Sequence, residues 1–416
     1  MFGVSFRFVP RPFVSCLFLT LVAGIAFAEP KLAPLPKVVP ALPGEVQPQA
    51  PGEKQAAPLP RITLQPSVPG VLKIEYASNG FIEVAHALVI LNSNETAPGP
   101  ALLKAQLIAK LVFEARPKLS EVDLSLYRAK EYRGLGGPPP YFTASVPKDT
   151  LAAFEAIPPD NALNYPRLWF EVAANGLSRS PSYELEKKLQ YEGPTNELRF
   201  EQLEQTLSQH FGSSKGTSLF HGDPSKPLAA LTFDDSPHPL FTPLLLDLLK
   251  RAGVRATFFC IGRNALAYPY FVQDMVRAGH ELANHTFHHV RLSGLSAAEI
   301  NDEILRTNLV LESLSAQHMR YFRPPGGRYS RQVLKAANAL GLRVAFWTDD
   351  PGDFNNLGTA TLEAKLLLHL RPGGIVLLHD NVLQTIQVLL SFIKISETKG
   401  IQLGTLSALE ATLAGR

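Results

Sequence analysis

The stretch Leu228-Ala229-Ala230-Leu231-Thr232-Phe233-Asp234-Asp235-Ser236 decides how the chain is read. A near-continuous apolar run ends in two adjacent carboxylates. Such a run is the pattern of a parallel strand covered on both faces. Two acids at a strand's exit are costly to crowd together unless a cation or a proton sits between them. A strand followed by an acidic turn or helix cap would give the same letters, so the surrounding chain has to separate the two readings.

From Pro227 onward, strands and helices alternate with short connections. The pattern predicts strands over Leu228–Phe233, Ala256–Ile261, Glu281–Asn284, Tyr321–Arg323, Arg343–Trp347, Ile375–Leu378 and Ile401–Leu403. Helices are predicted between them, over Thr242–Ala252, Ala265–Ala278, Ser296–Ser315, Ser330–Leu340, Thr359–Leu370 and Thr385–Thr398. Repeats of this kind imply a parallel sheet, either doubly wound or closed into a barrel. In both, sites form beyond the carboxyl ends of the strands.

The polar groups collect at those exits. The first strand ends in Asp234-Asp235 and the third in His285-Thr286-Phe287-His288-His289. The fourth runs into Arg323-Pro324-Pro325-Gly326-Gly327. The fifth is followed by Asp349-Asp350-Pro351-Gly352-Asp353, and the sixth by His379-Asp380. His285 and His289 are four apart, so one helical turn would put both rings on one side. Surface histidines are the ordinary source of such a pair. Two imidazoles with a carboxylate are also the three-ligand layout of catalytic zinc. His288 is expected to point away from that pair. His238, between Pro237 and Pro239, either lines a groove or sits in a stiff loop.

On these residues the last domain resembles the polysaccharide deacetylase family (NodB homology domain, carbohydrate esterase family 4). Five motifs occur in order: Thr232-Phe233-Asp234-Asp235-Ser236, His285-Thr286-x-x-His289, Arg323-x-Pro325-x-Gly327, Asp350-x-x-Asp353-Phe354 and Leu377-x-His379. The family more often has Gly at the place of Ser236 and Trp at the place of Phe354. The resemblance implies a distorted (β/α)7-type barrel. It implies that Asp235, His285 and His289 bind a metal, Zn2+ or another divalent transition metal such as Co2+ or Ni2+. Asp234 would be the base that deprotonates metal-bound water, held by Arg323, and His379 the acid for the leaving amine. Asp350 or Asp353 would orient His379, and the N–H of Gly326 would receive the oxyanion. Amide hydrolysis needs each of these tasks done. No Gly-x-Ser-x-Gly elbow supports a serine esterase.

The remainder of the chain is read as follows. Residues 1–28 carry Arg7 and Arg11, an apolar run and an Ala26-Phe27-Ala28 site, the layout of a secretory signal peptide; a retained anchor is the alternative. Residues 29–70 hold eleven prolines and read as a Pro-rich linker, a spacer or a plain disordered tail. Residues 71–195 read as a small α+β domain of unassigned type that either binds sugar or places the enzyme. Its predicted elements are strands over Val71–Tyr76, Val122–Tyr127, Tyr141–Val146 and Leu168–Val172, and helices over Pro100–Ala115 and Lys148–Ile157, the latter with Asp149 as cap. Residues 196–226 form a helical connector, and 227–416 the deacetylase-like domain. A formal charge of +3 gives no argument for nucleic acid. The chain has two cysteines; Cys16 would leave with the signal and Cys260 stays as a buried core thiol. These features suit export to a bacterial periplasm, cell wall or medium, with no stable membrane span after signal removal. The expected partner is an acetylated polysaccharide and the expected activity its N-deacetylation. The alternatives are O-acetyl esterase activity and a non-catalytic glycan-binding envelope protein.

Overall fold

The computed structural model describes residues 58–132, 138–171 and 218–413. The expected signal peptide, most of the linker and the connector helix at 197–211 lie outside the described residues.

The first sheet runs β1 (Val71–Ser78), β2 (Glu83–Leu91), β3 (Glu121–Arg128), β4 (Phe142–Pro147), β5 (Leu168–Phe170), in that order. β2 and β3 are parallel and the other pairs antiparallel. A parallel pair needs a crossover, and α1 (Pro98–Ala115) supplies it. Ala85, Ala87 and Val89 of β2 and Val122, Leu124 and Leu126 of β3 share one apolar cluster with Ala101, Ala105, Ile108 and Val112 of α1. β2 has no counterpart among the predicted strands. It is largely covered on both faces, so its sequence lacks the clean alternation of a half-exposed strand. The helix predicted over Lys148–Ile157 is a 3-10 turn followed by the short α2 (Leu151–Glu155), with no cap from Asp149. The end of the expected linker is packed on the sheet: Ile62 N–H donates to Ile74 O, Tyr76 N–H to Pro60 O, and Leu64 is buried.

The second sheet begins with β6 (Ser218–Leu219) and β7 (Leu228–Ser236), followed by α3 (Thr242–Ala252) and β8 (Thr257–Cys260). Next come α4 (Gly262–Ala267), α5 (Pro269–Arg277), β9 (Glu281–Asn284), α6 (Ala297–Ser315) and β10 (Tyr321–Phe322). The chain ends with α7 (Arg331–Ala339), β11 (Arg343–Ala345), α8 (Thr359–His369), β12 (Ile375–His379), α9 (Leu383–Thr398), β13 (Gln402–Gly404) and α10 (Leu406–Ala411). The helix predicted over Ala265–Ala278 is thus two helices, because Pro269 has no N–H to continue the first and suits the start of the second. α6 starts on a capping box between Ser296 and Glu299.

The strand order is β12-β7-β8-β9-β10-β11-β6, with β13 beside β7, and every pairing is parallel. The chain beyond β11 then reaches β12: Asp349 N–H donates to Ile375 O at 3.1 Å and Leu377 N–H to Asp349 O at 2.9 Å. The sheet therefore curls round as the expected distorted (β/α)7-type barrel. Cys260 is fully buried in β8, and burial pushes its thiol pKa up.

The two sheets belong to one packed body. The face of the first sheet opposite α1 carries Glu121, Asp123, Ser125, Thr143 and Ser145, and it rests on α4 and α5. Ser125 Oγ bonds Tyr268 OH at 2.9 Å and Thr143 Oγ1 donates to Ala267 O at 2.5 Å. Arg167 donates to both Glu121 (2.8 Å) and Asp274 (2.6 Å). Asn79 Nδ2 donates to Leu244 O at 3.0 Å. Among the described residues, no helix is long and apolar enough to cross a membrane.

Asp123 is the anomaly in this interface. It is fully buried, and neither carboxylate oxygen accepts a well-formed hydrogen bond. Burial, with the neighbouring Glu121 charge adding to it and Arg167 opposing, raises its pKa well above the ordinary 3.8. The folded state therefore keeps a proton that the unfolded chain releases, and stability falls as pH rises above the unfolded value. Asp123→Asn removes this dependence. The variant should be more stable than the wild type at neutral pH, with the difference shrinking toward pH 4, in urea titrations across that range. Equal stability at every pH would show that Asp123 is ionised in the fold.

Candidate active site

β7, β9, β10 and β12 deliver their carboxyl-terminal residues to one rim of the curled sheet. Arg323, just past β10, lies at its centre and is fully buried. Its Nη1 donates to Asp234 Oδ1 at 2.6 Å and to Thr232 Oγ1 at 3.0 Å. Its Nε and Nη2 donate to the carbonyls of Ala345 and Phe346, and its guanidinium lies 3.9 Å from the Phe259 ring centre. A guanidinium buried this deeply needs a counter-ion and full hydrogen bonding, and Asp234 is that counter-ion.

Asp235 faces the other way. It adopts φ 70°, a left-handed conformation costly for a residue with a Cβ. This turn separates two consecutive carboxylates: Asp234 goes to Arg323 and Asp235 to the histidines. Asp235 Oδ1 is 3.1 Å from His289 Nε2 and 3.6 Å from His285 Nε2, and its Oδ2 accepts from Asn381 Nδ2 at 3.0 Å. Asp234 Oδ2 is also 3.6 Å from His285 Nε2.

The two histidines meet, but not on a helical turn. Residues 285–290 are irregular, with Thr286 at φ 66° and His289 at φ 58°. A helical turn is ruled out by those two left-handed residues; the loop folds back instead and brings the rings to 4.9 Å between centres. His285 Nδ1 lies 2.8 Å from Arg323 O. A carbonyl only accepts, so Nδ1 carries a proton and Nε2 is the nitrogen turned toward Asp234 and Asp235. Burial, partly opposed by Asp235, lowers the His289 pKa to about 4, which keeps that ring neutral. Burial raises the Asp235 pKa, but His289, His379, His285 and Asn381 outweigh it and bring it to about 2.

The donor set fits a divalent transition metal. Asp235, His285 and His289 place one ligand atom each within 4.8 Å of one another. Asp235 Oδ1 is buried with no hydrogen-bond partner among the described residues, as a ligand oxygen would be. Two imidazoles and a carboxylate are a zinc-type donor set.

His379 ends β12. Asp353 meets it twice: Oδ1 is 2.8 Å from the ring Nδ1 and Oδ2 accepts its backbone N–H at 2.8 Å. Thr385 Oγ1 donates to Asp353 Oδ2 at 2.6 Å. Burial disfavours the imidazolium, but Asp353 and the two rim aspartates outweigh it and raise the His379 pKa to about 10. Of the two carboxylates expected to orient His379, Asp353 does so. Asp350 accepts from Gly352 N–H at 3.0 Å instead, and burial lifts its pKa to about 6. Gly326 and Gly327 take φ 60° and 65° in the turn after Arg323. A Cβ on Gly327 would come within 2.5 Å of the Trp347 ring, so only glycine fits there. His238 accepts the Leu240 and Phe241 N–H groups on Nδ1 and is held in its loop.

Sequence reasoning missed Asn381, Thr385 and Glu303, which support Asp235, Asp353 and the His288 loop. Asn381 was within reach, two residues past His379. Thr385 and Glu303 sit on helices and carry no local signal.

Residues 221–345 match the polysaccharide deacetylase family. A chitooligosaccharide deacetylase of Bradyrhizobium sp. (strain ANU 289) is 41% identical over 151 residues, which is 36% of this chain and 69% of the relative. A peptidoglycan-N-acetylglucosamine deacetylase of Bacillus cereus is 34% identical over 187 residues, 44% of this chain and 87% of the relative. Among solved structures, the Bc1960 peptidoglycan N-acetylglucosamine deacetylase matches with a TM-score of 0.45 at 31% identity, covering 46% of this chain and 92% of that one. The chain belongs to the polysaccharide deacetylase family and is an enzyme of that class.

Removing the Arg323 side chain leaves Asp234 buried without its counter-ion. Arg323→Ala should lose on the order of 3–5 kcal/mol of stability, read by urea denaturation. Arg323→Lys should recover only part of it, because an ammonium cannot serve four acceptors in one plane.

Proposed function

We propose that the protein is a metal-dependent N-deacetylase of an N-acetylglucosamine-containing envelope polysaccharide, with peptidoglycan as the leading substrate. One observation carries the reading: the Asp235–His285–His289 cluster, the Asp234–Arg323 pair and the His379–Asp353 pair share one rim. The names of the relatives point to the same sugar, since chitooligosaccharides and peptidoglycan both contain N-acetylglucosamine.

Asp235, His285 and His289 would hold the metal, Zn2+ or Co2+ or Ni2+. When bound, it supplies Lewis acidity, lowering the pKa of water to about 7 and polarising the acetyl carbonyl. Asp234, held by Arg323, takes a proton from the attacking water. The Gly326 N–H donates to the carbonyl oxygen as negative charge develops there. His379, held protonated by Asp353, gives its proton to the nitrogen as the C–N bond breaks. Water is consumed, and acetate and a free amino sugar leave. Asp350 adds negative charge beside His379. The layout of residues 1–28, with Arg7 and Arg11, an apolar run and Ala26-Phe27-Ala28, supports export.

Acetate release should be measured on N-acetylglucosamine oligomers, peptidoglycan and O-acetylated xylan, with and without a chelator. The expected result is release from the first two that stops on chelation and returns with Zn2+ or Co2+. Release from O-acetylated xylan alone would make the enzyme an esterase, and no release from any would leave a glycan-binding protein. Asp234→Asn should lose turnover at least about a thousandfold, the scale set by losing both the base and its electrostatic contribution, while retaining metal by elemental analysis. His285→Ala should lose the metal itself; unchanged metal content would dismiss the three-residue site.

A further inference from the structure

We infer that Glu303 of α6 is a positioning residue for the metal-ligand loop, setting the direction of the His289 ring. The inference rests on the reading of Asp235, His285 and His289 as ligands.

The loop from His285 to His289 belongs to no helix or strand, and two of its five residues have left-handed backbones. Such conformations cost about 1 kcal/mol or more each and persist only where the surroundings over-determine them. Most of the main-chain partners are backbone or local. His285 N–H donates to Cys260 O, and Thr286 N–H to the Asn284 side chain. Thr286 O and Phe287 O accept from the N–H groups of Gly262 and Arg263.

Two further amides go to one distant side chain. Phe287 N–H and His288 N–H both donate to Glu303 Oε2, at 3.0 and 2.9 Å. Glu303 Oε1 lies 2.5 Å from Nδ1 of the His288 ring. One carboxylate therefore fixes the Thr286–Phe287 and Phe287–His288 peptide planes, one residue upstream of His289. Glu303 and His288 are both buried, and an ionised acid is tolerated there only because these donors surround it. Phe287 is clamped from the same helix, with the Arg306 guanidinium 4.4 Å from its ring centre. Without Glu303, two buried amides lose their acceptor, and the loop is free to relax its strained φ angles. His289 then turns away from Asp235.

The test uses the full chain. Co2+ affinity is measured by competition with a chelator, and the visible spectrum of the Co2+ protein is recorded, for the wild type, Glu303→Gln and Glu303→Ala. Supporting residues of metal ligands typically change affinity by about 10–100-fold. Glu303→Ala is expected in that range, with an altered Co2+ spectrum and a lower kcat at saturating metal, while KM stays near the wild-type value. Glu303→Gln keeps an acceptor oxygen for the two amides but loses the charge opposite His288, and should fall in between. If Glu303→Ala does not fold, Glu303→Gln decides: a several-fold loss with a changed spectrum supports the inference. Wild-type affinity and spectrum in either folded variant overturn it while the metal site itself stands. A wild-type chain that binds no Co2+ overturns both.

Discussion

The fully buried guanidinium of Arg323 is the constraint on which the site depends. Its side chain ties β7 to the end of β11 through Thr232, Asp234, Ala345 and Phe346, and it stacks on Phe259 of β8. Its backbone carbonyl takes the Nδ1 proton of His285. One residue thus holds both the Asp234 carboxylate and the His285 ring in place. A buried charge is expensive unless paired and fully bonded, so the strands around it have little freedom to shift register. The chemistry at the rim and the closure of the sheet are two results of the same interaction.

That centre splits the Asp234-Asp235 pair. Adjacent residues on a strand point to opposite faces, but at a strand exit the backbone must also turn. The left-handed φ of Asp235 makes that turn and sends Asp234 to Arg323 and Asp235 to the two histidines. Similar strain at Thr286 and His289 bends the loop that carries the two histidines. Backbone strain of this kind persists where the surroundings over-determine it, here where Asp235, His285 and His289 converge.

The first sheet shows how polar residues on a strand mislead. Glu121, Asp123 and Ser125 alternate with Val122, Leu124 and Leu126, which reads as a solvent face opposite a core face. The apolar half behaves as expected and packs on α1. On the polar side Ser125 bonds Tyr268, Thr143 of β4 bonds Ala267, and Arg167 links Glu121 to Asp274, so the second sheet's helices rather than water cover that face. Alternation reports that two faces differ, not what covers them. The aromatic residues Tyr141, Phe142 and Trp169 pack within or against apolar clusters.

The sequence by itself determined the repeating strand–helix pattern, the positions of most elements from Leu228 onward, and the collection of acids, histidines and Arg323 at strand exits. These are legible because periodicity and spacing are local properties of the chain. Only the tertiary structure decided that Asp353 rather than Asp350 meets His379, that His285 and His289 converge through a left-handed loop instead of a helical turn, and that Glu303 accepts two amides of that loop. It also placed β2 in the middle of the first sheet and the polar face of that sheet against α4 and α5. Each of these depends on the register between segments tens to hundreds of residues apart, and no local pattern encodes where a distant helix or strand will place a single carboxylate.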